Sequence, residues 1–181
     1  WALLVASLVW GVLLATRVLR PHDRPAWLLD LHRWLGGLAM AMVGLHIGSL
    51  IGDSFVHFGA ADVLVPLASG WRPVPVALGV LSLYLLAAVE VTSLAMRRLS
   101  RRAWRAVHLT SYGLVWLVSL HAGLAGSDVF NLAYRGVAAV LTVAAVAATC
   151  VRLLTPRRRG PATGRRERVG ASTATGPTGA A

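Results

Sequence analysis

The sequence contains no lysine, a single cysteine (Cys150) and only seven acidic residues in 181 positions. One thiol cannot form an intrachain disulfide, and it cannot build a cysteine-based metal cluster. Charged residues of both signs make up only 14% of the chain, against 56% hydrophobic residues and a mean hydropathy of +0.65. That balance is too apolar for an ordinary soluble domain and reads as a membrane protein. All eighteen basic residues are arginine. They stand in short groups at the ends of apolar runs, so the net charge of +11 reads as an orientation signal and not as a nucleic-acid footprint, which needs a contiguous basic face.

The apolar runs predict an all-α integral membrane protein, a bundle of about five transmembrane helices. Residues 1–16 are uninterrupted apolar sequence just short of the roughly 20 residues that a span requires, and this span reads as truncated at its N-terminal side. Arg17, Arg20 and Arg24, with Pro21 and Pro25, mark a short positive loop. Further spans are expected at about 27–52, 74–96, 104–124 and 132–151. Between the second and third, residues 53–73 read as a loop or interfacial segment with Phe55, Phe58 and Trp71 at the headgroup level. From residue 154 to 181 the composition predicts a disordered basic tail. Arginine is concentrated after the first, third and fifth spans. The positive-inside rule then places the N-terminus outside, the C-terminus in the cytoplasm, and the chain as a multi-pass protein of the plasma membrane.

Two of these spans carry paired histidines. LHRWLGGLAMAMVGLH holds His32 and His46, and HLTSYGLVWLVSLH holds His108 and His121. At 1.5 Å per residue the members of each pair stand roughly 20 Å apart, so they cannot share one metal. The two spans run in the same direction, which sets His32 level with His108 near the cytoplasmic face and His46 level with His121 near the outer face. Two imidazoles without a carboxylate or thiolate make a poor tetrahedral zinc site. They suit the two axial positions of haem iron, whose porphyrin supplies the other four nitrogens. Covalent c-type attachment is excluded because no C-x-x-C-H run occurs. Gly36, Gly37, Gly44, Gly48 and Gly113 offer room for a macrocycle, or alternatively for close helix packing. Helical phase leaves one angle open. Fourteen steps return His46 to nearly the face of His32, whereas thirteen steps leave His121 about 140° from His108. A tilt, rotation or irregularity near Thr110 to Gly113 is therefore required.

His-x13-His on one span and Trp-Arg-x2-His-x12-His on the next parallel span resemble the ferric reductase-like transmembrane domain shared by ferric reductases, NADPH oxidases and related haem-binding membrane subunits. The resemblance spans about residues 1–153. It implies two non-covalent haem b groups, ligated by His32 with His108 and by His46 with His121, that carry electrons across the membrane. The thirteen-residue step is usual in that family. No Gly-rich phosphate loop of a flavin or nicotinamide domain is found, so the chain reads as an electron-transfer subunit needing a separate donor. That donor is expected to be a cytoplasmic flavoprotein reductase or a quinol, and the acceptor an extracytoplasmic redox protein, metal ion or oxygen.

Arg33 and Arg105 are candidate partners for haem propionates, although orientation charges explain them equally well. Trp34 and Trp104 read as interfacial belt residues. Trp116 lies at the depth between the two pairs, with lipid-facing packing favoured over a place on the electron path. Glu90 is expected to snorkel and pair with an arginine, with a buried proton carrier as the alternative. His57 reads as solvated, or as a binding group on the exit side. The rival functions are a non-haem scaffold or assembly subunit whose histidines bridge helices, and a proton-coupled transporter.

Overall fold

The computed structural model describes residues 1–18, 24–54 and 56–155. Arg20, Pro21, Phe55, the arginines 157–159 and the expected tail from residue 156 onward lie outside the described residues. Among the described residues the chain is all helical. The elements are α1 (Ala2–Thr16), α2 (Pro25–Gly52), α3 (Ala60–Leu64), α4 (Pro73–Leu94), α5 (Arg101–Leu109), α6 (Ser111–Ala125) and α7 (Leu132–Leu154). The helices α2, α4, the α5–α6 unit and α7 are long and apolar enough to cross a membrane, and α1 is a shorter apolar helix. The chain is a multi-pass membrane protein.

The helix starts follow from local chemistry. Pro25 and Pro73 sit in the first turns of α2 and α4, where a missing N–H costs nothing. Ser100 caps α5 by accepting from Ala103 N, and Asn131 caps α7 through its side chain. Most apolar side chains face outward, as lipid-facing residues must. The buried set is small: Leu4, Val5, Leu8 and Val12 of α1 meet Ala39 of α2, Leu86 of α4, Leu114 and Val115 of α6, and Ala145 and Ala148 of α7. Helix α1 thus forms the centre of the bundle, packed against α2, α6 and α7. Small residues on α2 and α7 let it approach closely.

The fourth span is broken. At Thr110 the α5 helix ends in a tightened turn, with the Thr110 N–H on the carbonyl of Val107 at 3.0 Å and its Oγ1 on the same oxygen at 2.7 Å. A threonine hydroxyl that bonds back to the preceding turn competes with the helical ladder. The helix restarts at Ser111, and the irregularity falls inside the stretch where the phase argument requires one.

Candidate functional site

Helices α2 and α5–α6 run in the same direction, and the four histidines face each other in two cross-helix pairs. The ring centres of His32 and His108 are 5.9 Å apart with planes at 75°. Those of His46 and His121 are 6.5 Å apart at 74°. The first pair lies toward the end of the bundle that carries Arg97, Arg98, Arg101, Arg102 and Arg105, and the second toward the arginine-poor end.

Neighbouring helices hold the rings. His32 Nδ1 lies 3.0 Å from the carbonyl oxygen of Ser7 and 3.1 Å from its Oγ. His121 Nδ1 lies 2.8 Å from the carbonyl oxygen of Pro75. A carbonyl only accepts, so in both residues Nδ1 carries the proton and Nε2 is left with its lone pair, the tautomer a metal ligand needs. His108 Nδ1 is 3.4 Å from Ser93 Oγ, and its ring stacks on Trp104 at 5.0 Å. The His46 ring has no hydrogen bond among the described residues and borders a cavity.

Two glycines are shaped to these rings. A Cβ at Gly11 of α1 would stand 3.1 Å from His32 Cε1, and one at Gly79 of α4 would stand 2.8 Å from His121 Cε1. Both broken-span histidines therefore lean on α4, His108 at Ser93 and His121 at Pro75 and Gly79. The tightened turn at Thr110 lies between His108 and His121, and the phase sum for one regular helix no longer applies across it.

The donor set and spacing fit a haem. A metal–imidazole bond of about 2 Å, with roughly 1.1 Å from ring nitrogen to ring centre, sets two axial imidazoles about 6 Å apart. Both pairs stand at that separation. Among the described residues no three His, Cys, Asp or Glu side chains gather around one point, and the histidines stand as pairs. Beside His46 and His121 opens a cavity of about 550 Å³ with a largely apolar wall that includes Met42, Val43, Val80 and Leu83. Its size lies within the roughly 300–1,000 Å³ usual for small-molecule sites. Beside the other pair, Trp104 Nε1 is buried without a hydrogen-bond partner, an orphan donor that a carboxylate-bearing ligand would satisfy.

The segment after α2 closes the arginine-poor end of the cavity. Phe58 is buried and meets Trp71 edge-on at 6.1 Å, and both line the cavity. Beyond the interfacial placement that the sequence suggests, they pack on each other and cover the cavity. Arg72 lies 5.1 Å over the Trp71 ring and donates to the Leu124 carbonyl at 2.8 Å. Tyr84 Oη donates to the Leu64 carbonyl.

Other expected residues fall elsewhere. Arg33 is exposed and sits 3.9 Å from Asp30, one turn away. Arg105 is exposed and has no ion pair among the described residues. Trp34 is 77% exposed, as a belt residue would be. Trp104 differs from Trp34 in that its ring turns onto His108. Trp116 is on the exposed side of α6, and His57 is exposed. Glu90 does not pair with an arginine among the described residues. Its carboxyl crosses to α2, where a Cβ at Gly36 would stand 2.5 Å from Oε1. Gly36 therefore receives that carboxyl. Nothing lies within 4 Å of a Cβ added at Gly37, Gly44, Gly48 or Gly113. Ser7, Gly11, Pro75, Gly79 and Ser93 were not singled out by sequence, although Gly79 and Ser93 repeat the fourteen-residue step of His32 and His46.

A family model described as ferric reductase like transmembrane component matches residues 2–120. The match includes His32, His46 and His108 and ends one residue before His121. No curated protein and no solved structure matches the chain.

Proposed function

Because the chain belongs to the ferric reductase-like transmembrane component family, whose membership points to transmembrane electron transfer in general, we propose that it carries electrons across the membrane through two bis-histidine b-type haems. The observation that carries this reading is the pair of cross-helix imidazole contacts at 5.9 and 6.5 Å. His32 and His108 hold the haem at the arginine-rich end, and His46 with His121 hold the other. The haem iron supplies a one-electron Fe(III)/Fe(II) couple at each level.

The chain's own residues fix position and environment. Ser7 and Pro75 orient two of the ligand rings and keep Nε2 available. Gly11 and Gly79 make room for those rings, and the apolar cavity wall excludes water. Arg33 and Arg105 are suited to meet propionates at the arginine-rich end, and Trp104 Nε1 is a further donor there. By the positive-inside rule that end faces the cytoplasm. Electrons then enter from a flavoprotein reductase or a quinol and leave toward an extracytoplasmic redox protein, metal ion or oxygen.

A reduced-minus-oxidised spectrum with haem quantification tests the reading. Two haems per chain are expected in the native protein, and one in His46→Ala with the helical content unchanged. A spectrum without a Soret shift on reduction, or one that His46→Ala leaves unaltered, refutes it in favour of a scaffold whose histidines only bridge helices.

A further inference from the structure

Glu90 has no part in the electron path described above. It is an acidic side chain within α4, half-buried, with neither ion pair nor hydrogen bond among the described residues. A carboxylate at membrane depth without a partner is costly, and such a group marks a proton or ion site more often than a packing residue. Its placement is specific. Gly36, which the carboxyl touches, stands one turn from His32 on α2, and Ser93, which holds His108, stands one turn from Glu90 on α4. One turn is about 5.4 Å of rise, so the carboxyl lies just to the interior side of the His32–His108 pair, between the two levels.

Among the described residues no ion pair joins Glu90 to the charged groups of the elements around it. From α2 these are His32 and the exposed Arg33, already beside Asp30, and directly after α4 the exposed Arg97 and Arg98. From α5 they are His108 and the exposed Arg101, Arg102 and Arg105. On α6, the half-buried Tyr112 is uncharged, and His121 stands at the far end beside Gly79. The α3 acid, Asp62, borders the cavity at that far end too.

We propose that Glu90 is a redox-linked proton site for the His32–His108 level. This rests on the haem reading. Iron held by two neutral imidazoles carries an extra positive charge when oxidised, and that charge offsets the Glu90 carboxylate. When one electron arrives from the reduced flavin or quinol donor, the offset is lost and Glu90 binds one proton from water at the arginine-rich end, forming a carboxylic O–H bond. When the electron moves on to the second level, that bond breaks and the proton returns. One electron and one proton enter and leave together, so the charge of the site is unchanged. Gly36 makes this possible by letting the carboxyl lie against the α2 backbone.

The test uses the full chain loaded with haem. Midpoint potentials are measured by spectroelectrochemical titration across pH, with infrared reduced-minus-oxidised difference spectra recorded alongside. One of the two potentials should fall by about 59 mV per pH unit, the value for a tenfold change per unit in a one-electron couple. Glu90→Gln should abolish that slope and leave the other potential unmoved, and Glu90→Asp should retain it. A protonated-carboxyl band should appear on reduction in the native protein and move in Gly36→Ala, which keeps the acid but displaces it. That measurement stands if the glutamine variant does not fold. Potentials independent of pH in the native protein, a slope that survives Glu90→Gln, or the lack of a carboxyl band would each overturn the proposal while leaving the haem reading intact. A chain that takes up no haem overturns both.

Discussion

Replacing Gly79 by alanine puts a methyl carbon 2.8 Å from His121 Cε1 and 2.9 Å from its Nδ1. Ordinary contact begins near 3.4 Å, so the ring must give way by about 0.6 Å, more than the roughly 0.5 Å that a preorganised site tolerates. The same displacement stretches the 2.8 Å bond from His121 Nδ1 to the Pro75 carbonyl, whose net worth is about 0.5–1.5 kcal/mol. Overpacking adds about 1–3 kcal/mol where the surroundings cannot relax. A combined loss of about 2 kcal/mol weakens ligation roughly 30-fold, at 1.4 kcal/mol per tenfold. Haem titration of purified Gly79→Ala should then show one tight site and one weakened site. Gly136→Ala on α7, whose new carbon meets nothing within 4 Å, should titrate as the native protein does. Two unaltered sites in Gly79→Ala would refute the assignment of His121 as a ligand held in place by α4.

Two further outcomes follow from the contacts around the histidines. Arg72→Ala removes a hydrogen bond to Leu124 and a cation–aromatic contact to Trp71, a loss of about 1 kcal/mol at an exposed site. Hydrogen exchange at the end of α6 should accelerate several-fold, and unchanged exchange would show that the contact holds nothing in place. Trp104→Phe keeps a ring against His108 and deletes a buried donor that has no partner. The apoprotein's unfolding free energy should therefore change by less than about 1 kcal/mol, and a loss above 2 kcal/mol in chemical denaturation would show that the indole N–H is satisfied after all.

The spans and the pairing of the histidines are legible because both depend on spacing along one helix. Apolar length defines a span, and a fourteen- or thirteen-residue step defines a level. The support of those rings is not legible, because it comes from other helices through unremarkable residues. Ser7 reaches His32 across 25 positions, and Pro75 reaches His121 across 46. Nothing in a serine or a glycine of an apolar run announces such a contact. For Glu90 the sequence offers both an arginine partner and a buried proton carrier, and only the structure shows the carboxyl turning across the bundle to Gly36, where the missing side chain leaves space. Phe58 and Trp71 share the composition of belt aromatics, and only the fold of the α3 segment shows that they cover a cavity. The central position of α1 was equally hidden, because its apolar run looks the same whether it meets lipid or protein. The break at Thr110 was demanded by phase but located only to within a few residues.

Helix α4 touches both histidine levels, at Gly79 and Pro75 near one end and at Ser93 near the other. The vertical step between the levels is thereby copied from the rise of one continuous helix, as from a ruler laid along the bundle. A thinner or thicker bilayer is met by tilting whole helices at modest cost, and such tilting carries both levels together without changing the gap between them. The interval between the two histidine levels is in this way a property of the protein's own backbone and is insulated from the composition of the membrane around it.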